Sequence, residues 1–198
     1  LRPPLFINYK KLKKMACDIT AGRNEVCKDS VGGLKNIYFI NYGDAPYSSV
    51  VYDATNTDVV ETINGTPGTV SAYKYEVQSD ENNFEEAITS SRENGTTFFE
   101  GVLNVSLKKL DLATHKEVKL LAFNRPHIVF EDRNSNFFYM GAEHGCELTG
   151  GTIATGGAMG DKSGYMLTFT SKEKIPTSFM EATDEAGLNT AGLLVVTA

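Results

Sequence analysis

The chain has 198 residues, 41% hydrophobic and 22% charged, which suits one globular domain with a buried core. No run approaches the roughly 18 consecutive apolar residues that a membrane-spanning helix needs. The three cysteines, Cys17, Cys27 and Cys146, are odd in number without a close pair, which disfavours a disulfide framework or a four-cysteine zinc site and points to reduced thiols.

Charge divides the chain at Met15. Residues 1–14 hold five of the 19 Lys and Arg and none of the 25 Asp and Glu, which leaves 14 basic against 25 acidic residues, a net −11, over 15–198. Segment 1–14 therefore reads either as a basic extension ahead of the natural start or as an arm that docks on a neighbour. Its only apolar cluster, Leu5-Phe6-Ile7, is too short for the core of a signal peptide. The acidic body, 15–198, lacks the positive footprint that grips a phosphate backbone.

From there the pattern is one of short strands rich in Val, Ile, Thr, Tyr and Phe, parted by turn residues. Asn36 to Asn41 is a compact apolar strand. Thr57 to Ile63 meets Asn64-Gly65 and is followed by the alternating run Val70 to Gln78. Phe84 to Ser91 and Thr96 to Ser106 flank Asn94-Gly95. Both dipeptides tolerate positive φ and predict hairpins. Leu107, Leu110, Thr114, Val118 and Leu121 recur at spacings of three and four, which predicts one amphipathic helix over about 107–123 that Pro126 prevents from continuing. His127 to Glu131 and Phe137 to Gly141 bracket another hairpin turn at 132–136. Glu147 to Thr155 and Gly164 to Thr170 are joined by the glycine-rich Gly156 to Ser163. The end, Leu193 to Val196, reads as a strand seeking an edge to pair with. Segment 15–198 thus reads as a single β-rich domain, with a C-terminal arm from about 177.

Motifs that could carry chemistry each meet a simpler reading. Gly156 to Ser163 lacks the glycine before lysine that a phosphate-binding loop requires, since Asp161 stands there, and a strand rather than a helix follows. Asp132, Asn134, Asn136 and Glu143 match oxygen-ligand positions of a calcium loop, but Phe137 replaces its glycine. His144 and Cys146 could share a zinc ion only with two further ligands that nothing nominates. His115 and His127 stand alone, and no glycine-flanked serine elbow appears. The expectation is a chain without enzymatic activity, cofactor or metal.

The order of these parts resembles a family. A strand pair ending in Thr96 to Ser106, a single helix over 107–123, the hairpin Ile128 to Gly141, and a glycine-rich loop leading into the Gly-Tyr-x-Leu-Thr-Phe-Thr strand within Asp161 to Thr170 are similar to bacteriophage major tail tube proteins. The likeness covers about 36–176 and is one of pattern. It implies a mainly β, tail-tube-like β-sandwich or barrel with one amphipathic helix packed on the sheet. It further implies self-assembly into stacked hexameric rings that form a channel for DNA delivery. Implied partners are further copies and other tail proteins (tape measure, terminator, sheath). The place would be the virion tail, assembled in the bacterial cytoplasm, with DNA passing through unbound. Closure into a ring would remove exposed sheet edges, and an acidic lining would repel phosphate. Under that implication Glu76, Asp80, Glu85, Glu86 and Glu100 are the candidate channel-lining acids. Competing readings are a head decoration protein, a head-to-tail connector, or a carbohydrate-binding β-sandwich module, although such modules commonly present tryptophan and this chain has none.

Overall fold

The computed structural model describes residues 21–25 and 27–197, so segment 1–14 lies outside the described residues. In chain order the elements are β1 (Leu34–Ile40), β2 (Val51–Tyr52), β3 (Val59–Thr62), β4 (Val70–Glu76), β5 (Asn83–Ser91), β6 (Thr96–Lys108) and α1 (Leu112–Phe123). Then follow β7 (His127–Asp132), β8 (Phe137–Met140), β9 (Glu147–Ala154), β10 (Gly164–Glu173), β11 (Ser178–Met180), α2 (Glu185–Thr190) and β12 (Leu193–Val196). Among the described residues they form two sheets, one of eight strands ordered β12-β4-β1-β7-β8-β11-β3-β2 and one of four ordered β5-β6-β10-β9. The expected mainly β, sandwich-like fold is what forms; neither sheet closes into a barrel.

Side chains alternate across a strand, and here the alternation feeds two cores. From β1, Ile37 and Phe39 enter the space between the sheets, where they meet Ile128 and Phe130 of β7 and Leu103, Leu167 and Phe169 of the small sheet. The Phe39 and Phe169 rings stand 5.2 Å apart, and Phe84 and Phe130 stand 4.7 Å apart. Tyr38 and Ile40 point the other way, into a second core closed by Val60, Ile63, Leu188 and Leu193. Burial on both faces explains why β1 reads as an almost unbroken apolar run. The large sheet curls around this second core until its far strands meet: the Ile63 N–H donates to Ala191 O at 2.8 Å. Gly192, at φ 101°, passes so close to the Asn64 carbonyl that a Cβ would collide with it.

Four sequence expectations are corrected. The helix begins at Leu112 rather than 107, because β6 keeps pairing with β10 through Leu107↔Tyr165 and Lys108↔Gly164. Lys109, at φ 67°, then turns the chain, and the Asp111 carboxylate caps α1 by accepting the Thr114 N–H. The hairpin at Asn64-Gly65 does not form. β3 pairs with β2 and, in parallel, with β11, while β4 pairs with β1 and β12. A second helix, α2, is present where none was expected. Segment 177–198, expected to reach out as an arm, instead supplies β11, α2 and β12 to the large sheet and its core through 196. The reason is apolar: Met180, Leu188, Ala191 and Leu193 are all buried there. The final strand does find the edge it reads as seeking, pairing in parallel with β4.

The three other hairpin expectations hold. β5 and β6 form a hairpin with Ser91 opposite Thr96 across a four-residue turn ending in Gly95 at φ 62°. The β7–β8 and β9–β10 pairs are antiparallel hairpins as well.

Candidate assembly surface

Among the described residues the small sheet is covered on one side only. Its sandwich-facing side carries Phe84, Leu103, Val105, Tyr165, Leu167 and Phe169, which enter the inter-sheet core. On the other side the register sets Glu85 and Ala87 of β5 beside Val102 and Glu100 of β6, then Thr170 and Lys172 of β10, then Glu147 of β9. Polar side chains tie these strands together. Asn104 Nδ2 donates to Asn83 Oδ1 at 3.0 Å, Thr168 Oγ1 donates to Asn104 Oδ1 at 2.9 Å, and the Thr149 and Thr170 hydroxyls lie 2.8 Å apart. Lys172 Nζ reaches Glu100 at 3.3 Å. Such cross-strand pairs brace a sheet face that stays in water.

Of the five acids nominated from sequence, this face gathers two, Glu85 and Glu100. Glu86 faces the opposite side, where its Oε1 accepts the Thr177 N–H at 2.9 Å and the Thr177 hydroxyl at 2.7 Å. Glu76 lies on β4 of the other sheet, 3.3 Å from Lys74, which also holds Glu185 at 2.6 Å and has its pKa raised chiefly by that hydrogen bond. Asp80 is in the β4–β5 connection and pairs with Arg133 at 2.9 Å. Sequence reading missed Glu147 and the Asn and Thr ladder. The alternation of Met166, Thr168, Thr170 and Lys172 along β10 is the signal that exposes one polar face.

The edges of the small sheet matter as much as its face. Among the described residues no strand pairs with the outer edge of β5 or of β9. Asn83, Asn104, Thr168 and Gly150 stand in one row across the sheet. From that row β5 runs one way to Ser91, whereas most of β9 runs the other way to Ala154, which offsets the two edge strands by about five residues. A bulge at Thr149 interrupts β9 where its pairing slips.

The other candidate sites resolve into structure. In the 156–163 loop, Asp161 Oδ2 accepts the N–H groups of Gly157 and Ala158 at 2.9 and 2.7 Å. Those two bonds hold the carboxyl below its usual range and fill, with the chain's own anion, the place where amides would meet a phosphate. In the 132–136 turn, Asn134 and Asn136 aim their amide N–H groups at Asp132 Oδ2, at 3.2 and 2.9 Å, so they act as donors and not as calcium ligands.

His144 and Cys146 are not brought together as ligands. Cys146 is fully buried, and burial raises its thiol pKa well above normal. His144 instead clusters with Glu143 and Glu173, their ligand atoms all within 4.8 Å. Glu173 is already committed, because its Oε1 accepts the N–H groups of Glu143 and His144 at 3.0 and 2.8 Å. His127 is a core residue whose Nδ1 lies 2.6 Å from Gly141 O, with a ring stacked on Tyr42. Burial lowers its pKa.

No family model matches the chain, and no curated protein matches its sequence. Among solved structures, a chain described as "Virion of native gene transfer agent (GTA) particle" is similar at 10% identity and a TM-score of 0.35, covering 54% of this chain and 88% of that one.

Proposed function

We propose that this chain is a structural virion protein, a tail tube subunit whose four-stranded sheet joins those of its neighbours into a closed ring around a channel for DNA. The observation that carries this reading is the offset between the two open edges, β5 and β9. In a barrel whose strands tilt by about 40°, each strand slips by about 1.2 residues against the next, so a four-strand repeat needs a slip of about five. The sheet has that offset built in, and a neighbouring β5 shifted by it lies along the whole of β9. Strand direction agrees, because four antiparallel strands make β5 and β9 run opposite ways and a copy placed alongside continues the alternation.

About six copies give roughly 24 strands and, after side chains, a bore of roughly 40 Å. The polar face with Glu85, Glu100 and Glu147 would line that bore, and the large sheet with α1 would lie outside it. Closure would also remove two long open edges that otherwise invite aggregation. Further copies, a tape measure, a terminator and a sheath are the partners this reading implies, and it assigns no catalysis.

The test is negative-stain electron microscopy of the purified chain at rising concentration, with light scattering to count subunits. Hollow rings or tubes are expected. A persistent monomer or a compact trimer overturns the reading in favour of a decoration protein or binding module.

A further inference from the structure

A groove of about 390 Å³ opens between α1 and β9. Val118, Ala122, Leu148, Ile153 and Leu167 line it, with Gly151 as its floor. The glycine keeps it open, since a Cβ there would stand 3.2 Å from Leu167 Cδ2 and 2.9 Å from Met166 O. Among the described residues nothing fills the groove, and Ile153 remains 51% exposed. At the opposite edge of the same sheet, Ile88 of β5 is 69% exposed. Its register partner is Phe99, which places it on the sandwich-facing side, the side on which the groove opens.

We propose that Ile88 of one copy seats in the α1–β9 groove of the next and is the apolar lock of the ring junction. This inference rests on the tube reading above and names which side chains join the copies. Side-chain parity narrows the register: Ile88 can face the groove only if the edges slip by an even number of residues. The even values nearest to five are about four and six. They bring Ile88 opposite Leu148 or Gly151, and both residues line the groove. Charge agrees as well. The rim of the socket carries Lys119 and His115, and β5 itself has no basic residue to oppose them. The contact is heterologous, a knob on one edge and a socket on the other, so repetition builds a ring or filament rather than a two-fold dimer.

Two surface variants test it, Ile88→Lys and Ala122→Trp, the second filling the socket. Neither site is buried in the isolated chain, and circular dichroism checks that each variant folds. Wild type should assemble, whereas each variant alone should need a concentration at least about tenfold higher. An equimolar mixture should give one-to-one dimers, because one intact knob then meets one intact socket. Variants that assemble like wild type, or a mixture that stays monomeric, overturn the lock while leaving the ring reading standing. A wild type that never assembles overturns both.

Discussion

Glu173, the last residue of β10, and His144, in the loop before β9, are joined by a hydrogen bond from the His144 N–H to Glu173 Oε1 at 2.8 Å. The same oxygen accepts the Glu143 N–H, so one carboxylate pins the 141–146 turn to the small sheet. Burial pushes the Glu173 pKa up, and the two backbone donors pull it only part of the way back.

The raised value fixes a sign. A carboxyl with a folded pKa above its unfolded one binds protons more tightly when folded, so its contribution is full below the ordinary value and lost as pH rises through the folded value. Glu173→Gln keeps an oxygen for both N–H groups and removes the charge. Its stability relative to wild type should therefore rise with pH from about 4.5 and then level off, as read by urea melts across pH. Glu173→Ala leaves two backbone donors unpaired and should cost about 3 kcal/mol.

Asp132 behaves in the opposite way. Its burial alone would raise its pKa, but the side-chain and backbone donors of Asn136 and Asn134 outweigh that and lower it. Its contribution is then present above the ordinary aspartate value and lost as pH falls through the depressed one. Asp132→Ala should cost about 1–2 kcal/mol at neutral pH, with the penalty shrinking in acid, because it removes the acceptor that closes the β7–β8 turn. Adding calcium should leave the melting curve of the wild type unmoved.

Much of this was legible in the sequence, and the failures have physical causes. Period-two runs and turn residues located the β5–β6, β7–β8 and β9–β10 hairpins because those pairs are sequential and local. One partner of each of β3 and β4 was not legible, since it comes from β11 or β12, more than 110 residues downstream of Val59 and Val70. Leu107 and Leu110 extend the helical spacing by coincidence. Leu107 is held in β6 by Tyr165, a residue no local pattern could supply. The site divides in the same way: the sequence nominated Glu76, Asp80, Glu85, Glu86 and Glu100 together as acids of the strands, while pairing Glu85 with Glu100, separating them from Glu86 and adding Glu147 required the register.

The inter-sheet core should dominate stability. Phe169 is fully buried and lies against Phe39 from the opposite sheet. Phe169→Ala leaves a cavity that neither sheet can close and should cost about 3–5 kcal/mol. Leu120→Ala, on the exposed side of α1, should change the unfolding free energy read from denaturant melts by less than about 0.5 kcal/mol.

The polar face of the small sheet offers a sharper functional readout. Its acids, Glu85, Glu100 and Glu147, outnumber the two bases beside them, Arg125 and Lys172, and Lys172 is itself paired with Glu100. A surface of that sign repels phosphate, and under the proposed ring assembly the wild-type rings should be unable to retain duplex DNA in a gel-shift assay at low salt. Changing all three acids to lysine leaves the inter-sheet core untouched, because all three side chains point away from it. Assembled rings of the triple variant should bind DNA, with an affinity that falls steeply as salt rises, by about 0.9 log units per phosphate contact for each tenfold increase. Charge reversal at Glu76 and Asp80, which lie off this face, should leave DNA binding unchanged. If instead the Glu76 and Asp80 variants capture DNA and the triple variant does not, the channel is lined by the large sheet and the orientation of the subunit in the ring is reversed.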